Sequence, residues 1–205
     1  MTAPTTEPAG EPGLRERKKA ATRQALHEAA VRLALELGPD RLTVEAIADR
    51  TGVSRRTFSN YFANKEDALF HGDRTRTRLL IEKVRARPAA ETPWAALSAA
   101  AADFYGQLGD LNPEWVTQTR LLRRHPSLAA AQAQTFAVME RELSAEVAAR
   151  LGSAADPLGV RPKLLAAVFL ASLRVSLTVW LEHPTESAYA DVARRVLAEA
   201  GRGFE

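Results

Sequence analysis

Residues 43–69 read TVEAIADRTGVSRRTFSNYFANKEDAL, and the spacing inside this stretch decides the fold. Thr43 stands where a hydroxyl caps a helix, with Val44, Ile47 and Ala48 on one face and Glu45 and Asp49 on the other. Position 46 is Ala46, so the acidic partner of a capping box is missing and the cap rests on Thr43 alone. Gly52 interrupts, supplying the positive φ that a tight interhelical turn demands. Ser54 caps again, and the next helix carries Phe58, Tyr61 and Phe62 inward. Asn64 opens a further helix, with Glu66 and Asp67 in the first turn, where carboxylates complement the helix dipole. Ala46 and Ala48 are small where two helices must approach, and Val53 and Phe58 fix the crossing angle. Together these residues spell a helix-turn-helix.

In such a motif the exposed start of the second helix enters the major groove. Here it presents Arg55, Arg56 and Ser59, with Thr57 and Asn60 beside them. An arginine fork bonds guanine O6 and N7 together. Thr43 and Ser54 lie at helix N-termini, where hydroxyls and free N–H groups favour phosphate. Lys65 is placed for another phosphate and the Tyr61 hydroxyl for a third, whereas Phe62 reads as core. Each piece alone has a plainer reading, as solvated surface, helix end or core. Turn, caps, core contacts and basic face in this order point to DNA.

Upstream, Leu26, Ala30, Leu33 and Leu37 mark one apolar helix face that stops at Gly38-Pro39-Asp40. Arg15, Arg17, Lys18, Lys19 and Arg23 cluster against the single Glu16, a footprint suited to phosphate or to a solvated face. Residues 1–13, rich in Pro and Gly, read as a disordered tail. Downstream, the helix from Asn64 runs through Leu69, Leu79, Leu80 and Val84 to stop before Pro88. Further helices are expected over 93–107, 113–124, 126–151, 162–181 and 186–201, four of them with proline in the first turn. No strand pattern appears. The expectation is an all-α chain of about nine helices: a DNA-binding domain at 14–63 and a ligand-binding and dimerisation domain at 64–205.

With 46% hydrophobic residues, the 205-residue chain has enough apolar mass for a real core. The absence of cysteine excludes disulfides and thiolate zinc sites, and the scattered His27, His71, His125 and His183 give no metal spacing. Neither a cofactor nor a metal is expected. Leu164–Trp180 is interrupted by Arg174, Ser172, Ser176 and Thr178, which reads as a core helix rather than a membrane span, in a soluble cytoplasmic protein with no membrane partner.

The segment from Arg17 to Leu69 resembles the DNA-binding domain of the TetR family of bacterial one-component regulators. The matching residues are Ile47-Ala48, Thr51-Gly52-Val53-Ser54, Thr57-Phe58, Tyr61-Phe62, and Lys65-Glu66 with Leu69. Two departures stand out: Ser59 where many members carry Tyr, and Arg56 where a small residue is common. The first removes a contact, and the second enlarges the basic face. The C-terminal part is more distantly similar to regulators of the mycofactocin-system type, some of which respond to acyl-CoA. The resemblance implies a homodimer paired through its last two long helices on a palindromic double-stranded DNA operator. It also implies a pocket for a small-molecule effector, of unknown identity, that releases the repressor.

Trp94, Phe104, Tyr105, Trp115, Phe136 and Met139 are the candidates to line that pocket, with about half expected to reach a ligand, since aromatics at helical spacing are usually core. Arg174, with Ala167, Ala171, Thr178 and Leu181 as its stripe, either anchors an anion or makes an ion pair with a neighbouring helix or subunit. Arg120, Arg123 and Arg124 suit a helix C-terminus. An enzyme would need a convergent nucleophile, base or metal cluster, which this sequence does not supply. A constitutive architectural DNA-binding protein would be more basic than a net +3 and would need no apolar cavity.

Overall fold

A computed structural model describes residues 13–107, 119–120, 122–123, 125–152, 156, 158–183 and 187–203. Among them stand nine α-helices and two short 3-10 turns, with no strand. The helices are α1 (Leu14–Leu37), α2 (Val44–Thr51), α3 (Arg55–Ser59), α4 (Lys65–Leu69), α5 (His71–Arg85), α6 (Pro93–Gln107), α7 (Ala129–Leu151), α8 (Val160–Glu182) and α9 (Tyr189–Gly201). The all-α class holds, though the nine are not quite the nine expected. The single helix expected from Asn64 to Pro88 is broken at Phe70, whose ψ of 9° departs from helical geometry. The helix expected over 113–124 lies largely outside the described residues.

The chain forms two compact units, Met1–Leu69 and Phe70–Glu205. In the first, α1 ends because Gly38 takes φ 84°, and the 3-10 turn Pro39–Arg41 follows. Leu26, Ala30, Leu33 and Ala34 of α1 are buried with Ile47, Ala48, Phe58, Phe62, Ala68 and Leu69. His27 Nδ1 donates to the Ala68 carbonyl at 2.8 Å, tying α4 to α1. α4 is thus held within the first compact unit, which runs to Leu69.

In the second unit α8 is the central element: it packs against α7 on one side and α9 on another. Leu165, Ala166 and Phe169 of α8 are fully buried with Leu97 of α6 and Leu143 and Val147 of α7. α8 is long and apolar enough to cross a membrane by composition alone, yet more than half of it is buried inside this fold. Ser172 and Ser176, the hydroxyl residues that interrupt its apolar run, return their hydrogens to the carbonyls of Val168 and Ser172, both at 2.8 Å. Trp94 anchors α6 on α9 through an indole N–H bond to the Leu197 carbonyl at 3.3 Å. Ion pairs Arg85–Glu146 (2.7 Å) and Arg78–Glu142 (3.7 Å) join α5 to α7.

Candidate functional site

The geometry of the first unit begins with two caps. Thr43 Oγ1 accepts from Ala46 N at 3.1 Å, and Ser54 Oγ from Thr57 N at 3.0 Å. Each satisfies a free amide that would otherwise shorten an already short helix. Between them Gly52 closes α2 in the left-handed region (φ 66°, ψ 28°), and its N–H returns to Ala48 and Asp49. A residue with a Cβ would be strained there. Phe58 and Phe62 pack at 5.8 Å between ring centroids and fix α3 from beneath. Asn64 Oδ1 caps α4 by accepting from Asp67 N at 2.7 Å, while Asp67 Oδ2 accepts from Ala63 N at 3.1 Å.

This scaffold leaves Ser54, Arg55, Arg56, Ser59 and Asn60 exposed on α3 and its ends, with Thr43 exposed at the start of α2. The two arginines differ. Arg55 makes an ion pair with Glu45 of α2 at 3.0 Å, whereas Arg56 makes none among the described residues. The Thr57 hydroxyl is bonded to Ser54 Oγ at 2.9 Å, so it supports the cap. Tyr61 is half-buried: Arg23 stacks 5.9 Å from its ring centroid and donates to its carbonyl at 3.3 Å. Lys65 is not a free surface cation. Its ammonium donates to the carbonyls of Pro39 (3.0 Å) and Leu42 (2.8 Å) and lies 4.0 Å from Glu66. An open groove lined by Arg15, Lys18, Lys19 and Thr22 of α1 and by Thr57, Asn60 and Tyr61 brings the N-terminal basic cluster beside the end of α3.

The second unit holds a cavity of about 380 Å³, within the range of small-molecule sites. Three helices supply it with the same i, i+3, i+4, i+7 stripe. Those stripes are Asp73, Arg76, Thr77 and Leu80 from α5, Gln132, Thr135, Phe136 and Met139 from α7, and Leu170, Leu173, Arg174 and Leu177 from α8. Phe70, Tyr105 of α6, Arg123 and Tyr189 of α9 complete the lining. Tyr105 and Tyr189 meet edge to face at 4.7 Å, flanked by Phe104 and Trp180. Burial pushes the Tyr105 hydroxyl above its ordinary range and the Tyr189 hydroxyl well above it, so both stay protonated near neutrality. The Tyr189 hydroxyl donates to the Leu173 carbonyl at 3.4 Å.

Of the pocket candidates read from the sequence, Tyr105, Phe136, Met139 and Arg174 line this cavity. Trp94 and Phe104 do not: both belong to the packed core, Trp94 against Phe169 at 6.2 Å. Trp115 lies outside the described residues. The stripe expected around Arg174 faces elsewhere, because the cavity sees its i−4 and i+3 neighbours Leu170 and Leu177 instead of Ala171 and Thr178. Sequence reasoning missed Asp73, Arg76, Arg123 and Tyr189. The signal was present on α5, where a charged pair heads the apolar stripe of Thr77, Leu80 and Val84, but such charges usually face solvent. Among the described residues no cluster of His, Asp or Glu has metal-binding geometry.

Residues 26–71 match the model of the bacterial regulatory proteins of the tetR family, and residues 91–205 match the C-terminal domain of MftR. The HTH-type transcriptional regulator TcmR of Streptomyces glaucescens is 35% identical over 82% of this chain and 77% of its own. Among solved structures, the SmeT–triclosan complex aligns with a TM-score of 0.61 at 19% identity, covering 89% of this chain and 91% of that one. FadR from Bacillus subtilis in complex with stearoyl-CoA aligns at 0.57 and 19%, covering 89% and 99%. At such identities these two structures speak for the fold. The capped, glycine-turned pair α2–α3, the family models and the TcmR likeness agree: this chain belongs to the tetR family of transcriptional regulators, which bind DNA and are not enzymes.

Proposed function

We propose that the protein is a homodimeric repressor that leaves a palindromic operator when a small molecule fills the cavity of its second unit. The observation that carries this reading is one chain holding both a basic, exposed α3 and a lined cavity of about 380 Å³. Arg55, Arg56, Ser59 and Asn60 face the bases, and Thr43, Ser54, Thr57, Tyr61 and Lys65 hold or touch the phosphate backbone. The domains are a reading head over 14–63 and an effector and dimer domain over 64–205, acting in the cytoplasm where the chromosome is. Exposed Leu164, Val175 and Val179 on α8, 49%, 45% and 40% accessible, support pairing of α8 and α9 with a second copy.

Release requires an effector that binds the DNA-incompetent arrangement better than the competent one. α4 ends the first unit, and one residue later α5 opens the second and carries four residues to the cavity wall. That continuity makes α5 the natural lever. A gel shift on the protein's own promoter, with and without a cell metabolite extract, tests the reading. The expected result is a specific shift that the extract reverses. A shift equal on unrelated DNA would contradict it.

A further inference from the structure

The cavity lining is not neutral. Among the described lining residues, Arg76, Arg123 and Arg174 stand against one carboxylate, Asp73, and that carboxylate is already paired with Arg76. Arg123 and Arg174 make no ion pair with any described residue. Within this lining the Tyr105 and Tyr189 rings meet at 4.7 Å, and the Tyr189 hydroxyl donates to the carbonyl of Leu173. Leu80, Leu170, Phe136 and Met139 make an apolar wall.

We propose that this cavity selects an amphipathic organic anion: an apolar, ring-bearing body with one carboxylate-class acid group held by Arg123 and Arg174. The inference rests on the reading of the cavity as an effector site and gives that site a ligand class. A neutral molecule would leave the charges of Arg123 and Arg174 uncompensated, and a cation would add repulsion. A carboxylate satisfies the fork geometry and the charge together. Four rings in the lining, from Phe70, Tyr105, Phe136 and Tyr189, suit a flat body.

Three fluorescent probes of one shape test this: 9-anthracenecarboxylate, 9-anthracenecarboxamide and 9-(aminomethyl)anthracene, titrated into the full-length dimer. The carboxylate is expected to bind at least tenfold tighter than the amide, and the amine weakest. In Arg123→Gln/Arg174→Gln the carboxylate falls to the level of the amide, whose own affinity stays within about twofold. Should that double variant fail to fold, Arg174→Gln alone, at an exposed side chain, is expected to remove part of the acid preference. Equal binding of acid and amide, a preference for the amine, no binding of any probe, or an acid preference that survives both substitutions would overturn the proposal. An acid that binds through the arginines yet leaves operator affinity unchanged would uphold the ligand class and remove the repressor-release reading. Operator release by the amide or amine alone would do the reverse.

Discussion

Lys65 reaches back 23 positions to donate its ammonium to the carbonyl of Leu42 at 2.8 Å, fastening the start of α4 to the residue that precedes the Thr43 cap. A second bond, to Pro39, closes the same loop. The loop between α1 and α2 has no other cation holding its carbonyls from α4, so the lysine sets the position from which α2 begins. Hydrogen bonds to a charged group contribute about 1.5–3 kcal/mol when partly shielded. Lys65→Met should therefore lower the stability of the first unit by about 1–3 kcal/mol in denaturant unfolding. Its effect on the salt slope of DNA binding should be less than the full unit of an independent phosphate contact.

The Arg55–Glu45 pair at 3.0 Å gives the reading face a built-in competitor, since Glu45 is itself exposed beside α3. An exposed pair of this kind is worth about 0.2–1 kcal/mol. Glu45→Gln should raise affinity for operator and unrelated DNA alike by roughly two- to fivefold, measured by fluorescence anisotropy. Unchanged affinity would mean that Arg55 is not used on DNA.

Trp94 and Gly201 meet so closely that a Cβ at position 201 would stand 2.3 Å from the indole Nε1. The indole cannot swing aside without losing its bond to Leu197. Gly201→Ala should cost about 1–3 kcal/mol as overpacking, seen as a lower Tm with DNA contacts untouched. Trp94, expected at the ligand, should thus affect folding and not effector potency.

Phe136 is the cavity residue whose truncation is cleanest, being part of the lining and only partly buried. Phe136→Ala should shift the effector concentration for half-release severalfold while effector-free operator affinity stays within about twofold. A change in effector-free affinity instead would assign Phe136 to the scaffold.

What the sequence made legible follows from how local the physics is. Thr43, Gly52, Ser54 and Asn64 act through neighbours three or four residues away, and all four take the cap or turn roles that their residue types dictate. The break at Phe70 did leave a trace that the reading passed over: Gly72 stands two residues on, and no large apolar side chain occurs from His71 to Arg78. The two bonds of Lys65 were not readable, because its carbonyl partners lie 23 and 26 positions away. The place of Asp73, Arg76 and Arg123 in the cavity wall was hidden for the same reason. A charge on a helix reads as solvated until the helix opposite is known.

The central claim is that α3 reads a palindrome, and selection of bound duplexes from a random-sequence pool tests it most directly. The selected sites should be two-fold symmetric, with half-site centres about 34–36 Å apart or a multiple of that spacing. Arg56→Ala should lose about 1–3 kcal/mol on the selected site while keeping its affinity for unrelated DNA nearly intact. A pool that yields no symmetric site, or an Arg55→Ala/Arg56→Ala variant that binds the selected site as tightly as the unaltered protein, would contradict the account.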